Sequence, residues 1–153
     1  PRGAGCLETM TTSLPGETME FLALLHRLSD WGILALRLGV GVTFLVHGIQ
    51  KSAMWRVQPS AQLPATLLSI IRLLSIVEPL GGVAVLAGFL TQPAALGFAI
   101  IMLGAINLKA RQMHKTFTGD GGWELDYILL SAAIALALFG AGKLSLDRVV
   151  FGL

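Results

Sequence analysis

Four runs of apolar residues, 16 to 26 residues long, constrain this chain more than anything else in it. They read Trp31 to about Gln50, Ala65 to about Leu90, Pro93 to about Leu108 and Trp123 to Ala141. At about 1.5 Å of rise per residue, a helix of some twenty residues crosses the ~30 Å hydrocarbon core of a bilayer. Within lipid every backbone donor and acceptor must be satisfied internally, so such runs are helices. Composition agrees: 54% of the chain is apolar and 13% charged, and the mean hydropathy is +0.75. Too few charges remain for a water-facing surface, and most of them lie between the runs.

The expected fold is therefore all-α, an antiparallel up-down-up-down membrane bundle of four helices, preceded by a short interfacial helix. Residues 1–18 are small and polar and are expected to form a disordered tail. Residues 19–30 carry Phe21, Leu24, Leu25 and Leu28 at helical spacing and are expected to lie in the membrane interface. The membrane domain is expected over 31–148, with a C-terminal tail over 149–153. Within "GFLTQP", Thr91 is the expected helix cap and Pro93 a first-turn residue, so spans two and three should form a tight hairpin. Small residues at Gly39 and Gly41, at Ala84 and Gly88, and at Ala133, Ala137 and Ala141 are expected to let the helices approach closely.

Several classes of function are excluded. A net charge of +2 with no basic stripe argues against a nucleic-acid partner. The single cysteine, Cys6, cannot form a disulfide framework or a CxxC motif, and "GAGC" lacks the apolar stretch that a lipobox needs. His26, His47 and His114 sit in separate segments without metal-ligand spacing, so no metal is assigned. Orientation stays open under the positive-inside rule: five bases (Lys51, Arg56, Lys109, Arg111, Lys115) flank one side and four (Arg2, Arg27, Lys143, Arg148) the other.

Three ionisable residues fall inside the spans: Arg37, Arg72 and Glu78. A charge at bilayer depth costs about 2.5–3.5 kcal/mol on insertion scales, so each needs a partner. If the first two spans end level, Arg37 and Glu78 lie at nearly the same depth, about 20 Å from the connecting loop, and an Arg37–Glu78 ion pair is expected. Such a pair could serve a site or only neutralise itself and fix helix register. Pro79 frees the carbonyl of Ser75 and bends the helix beside Glu78. Arg72 is shallower and is expected to snorkel to the interface. At 100° per residue, Arg37, His47 and Lys51 share an arc of about 80° with Phe44 and Gly48. Asn107 closes the third span, and Trp123 and Glu124 open the fourth, on the same side as His47 and Lys51. These residues form an expected one-sided polar vestibule: Arg37, His47, Lys51, Glu78, Asn107, Trp123 and Glu124. A quinone headgroup, an anion or a transported solute would each suit them, and no catalytic residue is assigned.

The stretches "LALRLGVGVTFLVHGIQK", "VEPLGGVAVLAGFLTQPAAL" and "GGWELDYILLSAAIALALFGAGKLSLD" resemble the DoxX family of small four-span membrane proteins, over about residues 30–148. Arg37, His47, Lys51, Glu78, Trp123 and Glu124 match positions of the family pattern. The resemblance implies an integral protein of a bacterial cytoplasmic membrane. It also implies a subunit or accessory of a quinone-linked redox system, with quinone as the ligand and other membrane or peripheral redox proteins as partners. A non-catalytic assembly factor, or a small-solute transporter gated by the Arg37–Glu78 pair, is the alternative.

Overall fold

The computed structural model describes residues 14–61 and 63–152, apart from the side chains of residues 14–18, 25 and 26. The described residues form helices α1 (Leu14–Arg27), α2 (Ser29–Lys51), α3 (Ala65–Ala87), α4 (Thr91–Asn107), α5 (Glu124–Phe139) and α6 (Leu146–Phe151). A 3₁₀ turn over Ser52–Arg56 follows α2, and a π-helical turn over Leu108–Gln112 follows α4. Three stretches are long and apolar enough to cross a membrane: Ser29–Arg56, Ala65–Ala87 and Thr91–Gln112. The fourth, α5, has 16 residues, or about 24 Å at helical rise. The chain is an integral membrane protein, helical with no strand among the described residues, and α2 to α5 are its four-helix bundle.

Two boundaries differ from expectation. Helix α1 begins at Leu14 rather than at 19; the part of the expected tail over residues 1–13 lies outside the described residues. At the other terminus α6 occupies most of the expected tail, because Ser145 caps it by accepting from the Arg148 amide at 3.3 Å.

The apolar stripes explain the packing. On α2 the buried residues are Arg37, Val40, Gly41, Phe44 and Gly48; on α5 they are Asp126, Leu129, Leu130, Ala133 and Leu136. Both sets follow the three-and-four spacing of one helix face. Phe44 and Phe98 stack nearly parallel, ring centroids 3.6 Å apart, in a core that also includes Val85, Ala95, Ala99 and Met102. Ile100, Leu103 and Leu138 point outward and are more than half exposed, as lipid-facing residues would be.

Helices α2 and α3 form the most extensive pair. Their close approach runs through Gly41, Gly48 and Gly82 rather than through Gly39 and Ala84. A methyl group on Gly48 would fall 2.2 Å from Pro79 Cδ, and one on Gly82 would fall 2.8 Å from the Gly41 carbonyl, whereas Gly39 faces open space. These contacts set the register. Gly48 lies beside Pro79, and Arg37 lies beside Val85 to Gly88. The first turns of α3 therefore project beyond the end of α2. The 3₁₀ turn continues α2 alongside them: Trp55 Nε1 donates to Ser75 Oγ at 2.9 Å, and Arg72 donates to the carbonyls of Met54 (3.2 Å) and Val57 (2.8 Å). Arg72, expected to snorkel, is a strut for this overhang.

The expected hairpin between spans two and three does form. Gly88 ends α3 in the left-handed region at φ 68, and the Phe89 amide closes on the Ala84 carbonyl at 2.9 Å. A side chain at Gly88 would press to 2.4 Å from Arg37 Nη2. Thr91 is not the cap of α4. Its hydroxyl is buried without a partner among the described residues, and the cap comes from α6, where the Asp147 carboxylate accepts from the Leu90 and Thr91 amides at 2.7 and 3.0 Å.

Candidate functional site

The register separates the polar residues into two groups, one at each end of the bundle. The loop end collects the C-termini of α2 and α4 and the N-termini of α3 and α5. The tail end collects the start of α2, the α3–α4 turn, the segment after α5, and α6.

At the loop end, Lys51 in the last turn of α2 forms an ion pair with Glu78 of α3. Glu78 is fully buried, while about a third of the Lys51 side chain is exposed. The second carboxylate oxygen, Oε2, has no hydrogen-bond partner among the described residues. Glu78 is buried because it shares a face with Ser75, Gly82 and Val85, which pack toward α2. The ring of Pro79 leaves the Ser75 carbonyl without its usual helical donor. The neighbourhood of Glu78 is therefore rich in acceptors, and among the described residues the Lys51 ammonium is the charged group paired with it. Ser75 Oγ accepts from Trp55 and donates to the Arg72 carbonyl at 2.7 Å, and the Arg72 guanidinium stands 5.7 Å from the centre of the Trp55 ring. His47 is half-buried one turn before Lys51, on the same side of α2.

A second ion pair occupies the same end. Lys109, in the π-helical turn, donates to Asp126 Oδ2 at 2.6 Å and also reaches the Gly122 carbonyl at 3.4 Å. In both hairpins a lysine closing the first helix thus reaches a buried carboxylate of the second, Glu78 in the middle of α3 and Asp126 in the first turn of α5.

Of the seven expected vestibule residues, the structure joins Lys51 to Glu78 and places His47 one turn away. Trp123 is half-buried in an aromatic cluster, its ring edge-on to Phe117 at 4.6 Å. Asn107 and Glu124 lie at the loop end with exposed side chains. Arg37 is absent from this end. The expected Arg37–Glu78 pair does not form, because the spans do not end level: the overhang of α3 brings Glu78 up to Lys51. Arg37 lies at the tail end, 1% exposed, and all its hydrogen bonds go to carbonyls. Nε donates to Val85 (2.9 Å), Nη2 to Leu86 (2.8 Å), and Nη1 to Ala141 (3.0 Å) and Leu144 (2.6 Å). It thereby satisfies carbonyls at the C-terminus of α3, where helical donors run out, and ties the segment after α5 to the bundle.

Asp126, rather than Glu124, is the buried acid of α5. Its position in register with Leu129, Leu130, Ala133 and Leu136 is the signal that marks it. Ser75 and Trp55 belong to the site through contacts across the 3₁₀ turn, which spacing along one helix does not reveal.

Comparisons with known proteins agree with this architecture. The DoxX family profile matches residues 32–111. A Bacillus subtilis protein named "Putative oxidoreductase CatD" is 36% identical over 127 residues, covering 78% of this chain and 87% of the relative. An uncharacterized membrane protein of Mycobacterium tuberculosis is 34% identical over 145 residues, covering 82% of this chain and 85% of the relative. No solved structure matches the chain.

Proposed function

The chain belongs to the DoxX family of membrane proteins, and on that premise we propose that it is a subunit or accessory of a quinone-linked redox system in a bacterial cytoplasmic membrane. The Lys51–Glu78 cluster is its ligand-facing site. One observation carries this reading: a carboxylate fully buried among apolar helices, with one oxygen held by Lys51 and the other buried without a hydrogen-bond partner among the described residues. A buried acceptor left unfilled costs about 1–3 kcal/mol, so an incoming donor is favoured there.

The residues fit a quinone headgroup. Such a ring presents carbonyl acceptors when oxidised and hydroxyl donors when reduced. Lys51 retains donors that can meet a carbonyl, and Glu78 Oε2 can accept from a hydroxyl and hold its proton. Trp55, linked to Ser75, offers an aromatic face at the membrane boundary. A relative named as an oxidoreductase supports the same direction. The transporter alternative relied on an Arg37–Glu78 gate, and the observed partners of both residues remove that support.

The test is quinone content. The protein is purified in native lipid, and quinones are extracted from wild type and from Glu78→Gln at equal protein-to-lipid ratio. The proposal expects a clear excess in the wild type, and equal content in the two samples would refute it.

A further inference from the structure

We infer that the tail end carries a second binding site, for a phosphate group, in the pocket between the start of α2, the start of α4 and the segment joining α5 to α6. The pocket encloses about 360 Å³. Its polar wall is Asp30, Gln92, Lys143, Asp147 and Arg148, and Ile33 and Phe139 supply apolar wall.

The hydrogen-bonding capacity of this wall is unevenly used. Its carboxylates are occupied. Asp30 accepts from the Lys143 amide at 3.2 Å and pairs with the Lys143 ammonium at 3.0 Å. Asp147 is filled by the Leu90 and Thr91 amides. The amide nitrogen of Gln92 donates to the Ala137 carbonyl at 3.0 Å. The donors are not exhausted. The Arg148 side chain has five N–H groups and no hydrogen-bonded partner among the described residues, and the Lys143 side chain is two-thirds exposed, its ammonium keeping donors beyond the one that meets Asp30.

Charge points the same way. Within the wall Lys143 and Arg148 balance Asp30 and Asp147, and Arg37, buried behind Ala141 with its bonds going to neutral carbonyls, is the one cation in excess. A donor-rich pocket backed by a buried cation calls for a group of several anionic oxygens, and a guanidinium fork matches phosphate geometry. The site lies at the helix ends, where phospholipid headgroups sit, and its apolar wall suits the glycerol and acyl chains that a lipid phosphate carries. Two sources share this chemistry: an anionic phospholipid of that leaflet, and soluble phosphate.

Native mass spectrometry of the full chain, released from nanodiscs of phosphatidylcholine containing phosphatidylglycerol, tests the inference. Wild type is expected to retain phosphatidylglycerol about tenfold over phosphatidylcholine. Arg148→Gln should bring the two near parity, Arg148→Lys should keep part of the preference, and Lys115→Gln at the loop end should leave it unchanged. Arg148 is exposed, so its replacement leaves the core intact. In a second arm inorganic phosphate is added. Displacement of the lipid together with a raised melting temperature identifies soluble phosphate as the occupant, and no effect identifies the headgroup. Equal retention of both lipids by wild type with no stabilisation by phosphate overturns the inference. A preference untouched by Arg148→Gln overturns it as well.

Discussion

Removing Arg37 should weaken the tail end without affecting Glu78. Arg37→Leu deletes four hydrogen bonds to the carbonyls of Val85, Leu86, Ala141 and Leu144. Bonds within membrane proteins average about 0.6 kcal/mol, and charge-assisted ones in buried settings begin near 1.5 kcal/mol. Four of them give a loss of about 2–6 kcal/mol, a large part of the ~5–15 kcal/mol that holds a typical domain together. The informative experiment is a double-mutant cycle of Arg37→Leu and Glu78→Leu, followed by equilibrium unfolding in mixed micelles. The guanidinium sits at the level of Val85 to Gly88, seven to ten residues beyond Glu78 on α3, or about 10–15 Å along the helix. Sites that far apart add to within about 0.5 kcal/mol. An Arg37–Glu78 ion pair would behave otherwise: each single variant would strand a buried charge and the double would recover several kcal/mol. A coupling energy above about 1 kcal/mol would refute the separation of the two ends.

Three further outcomes rest on the same geometry. Lys51→Met strands the buried Glu78 carboxylate and should cost about 3–5 kcal/mol in the same unfolding assay, most of it regained when Glu78→Gln is added. Gly48→Ala pushes a methyl group into Pro79 and should cost about 1–3 kcal/mol, while Gly39→Ala, facing open space, should be neutral or slightly stabilising; thermal unfolding of the pair separates the two. Asp147→Ala uncaps α4 and should cost about 1–2 kcal/mol, with faster amide hydrogen exchange at Leu90 and Thr91 as its local signature.

Helix faces are legible in the sequence, but depth is not. The hydropathy runs give the spans, and the spacing of Arg37, Phe44 and Gly48 correctly marks the buried stripe of α2. Register between α2 and α3 is where the sequence misleads. The stretch "SAMWRVQPSAQLP" looks like an open loop, which implies two spans that end level. Instead its first residues form a 3₁₀ turn pinned to Ser75 and Arg72, and α3 continues past α2. Glycine contacts at 41, 48 and 82 decide that register through shape, and no periodicity in either helix encodes it. The polar character of the tail end is hidden for a related reason. Arg37 finds its partners in backbone carbonyls, which no side-chain pattern announces, and Asp147 reaches α4 from a short helix beyond the last span. The choice of Asp126 over Glu124 is within reach of the sequence, since only Asp126 is in phase with the apolar residues after it.

The central claim is that the buried carboxylate of Glu78 belongs to Lys51 at one end of the bundle, while Arg37 serves the other. Solid-state NMR of the protein in bilayers tests it most directly, with ¹⁵N in the lysine and arginine side chains and ¹³C in the glutamate carboxyls. Glu78→Gln identifies the Glu78 carboxyl signal. The account predicts a strong dipolar contact between the Glu78 carboxyl carbon and the Lys51 ammonium nitrogen, and none to the Arg37 guanidinium. A Glu78 signal coupled to Arg37, with Lys51 uncoupled, would contradict it.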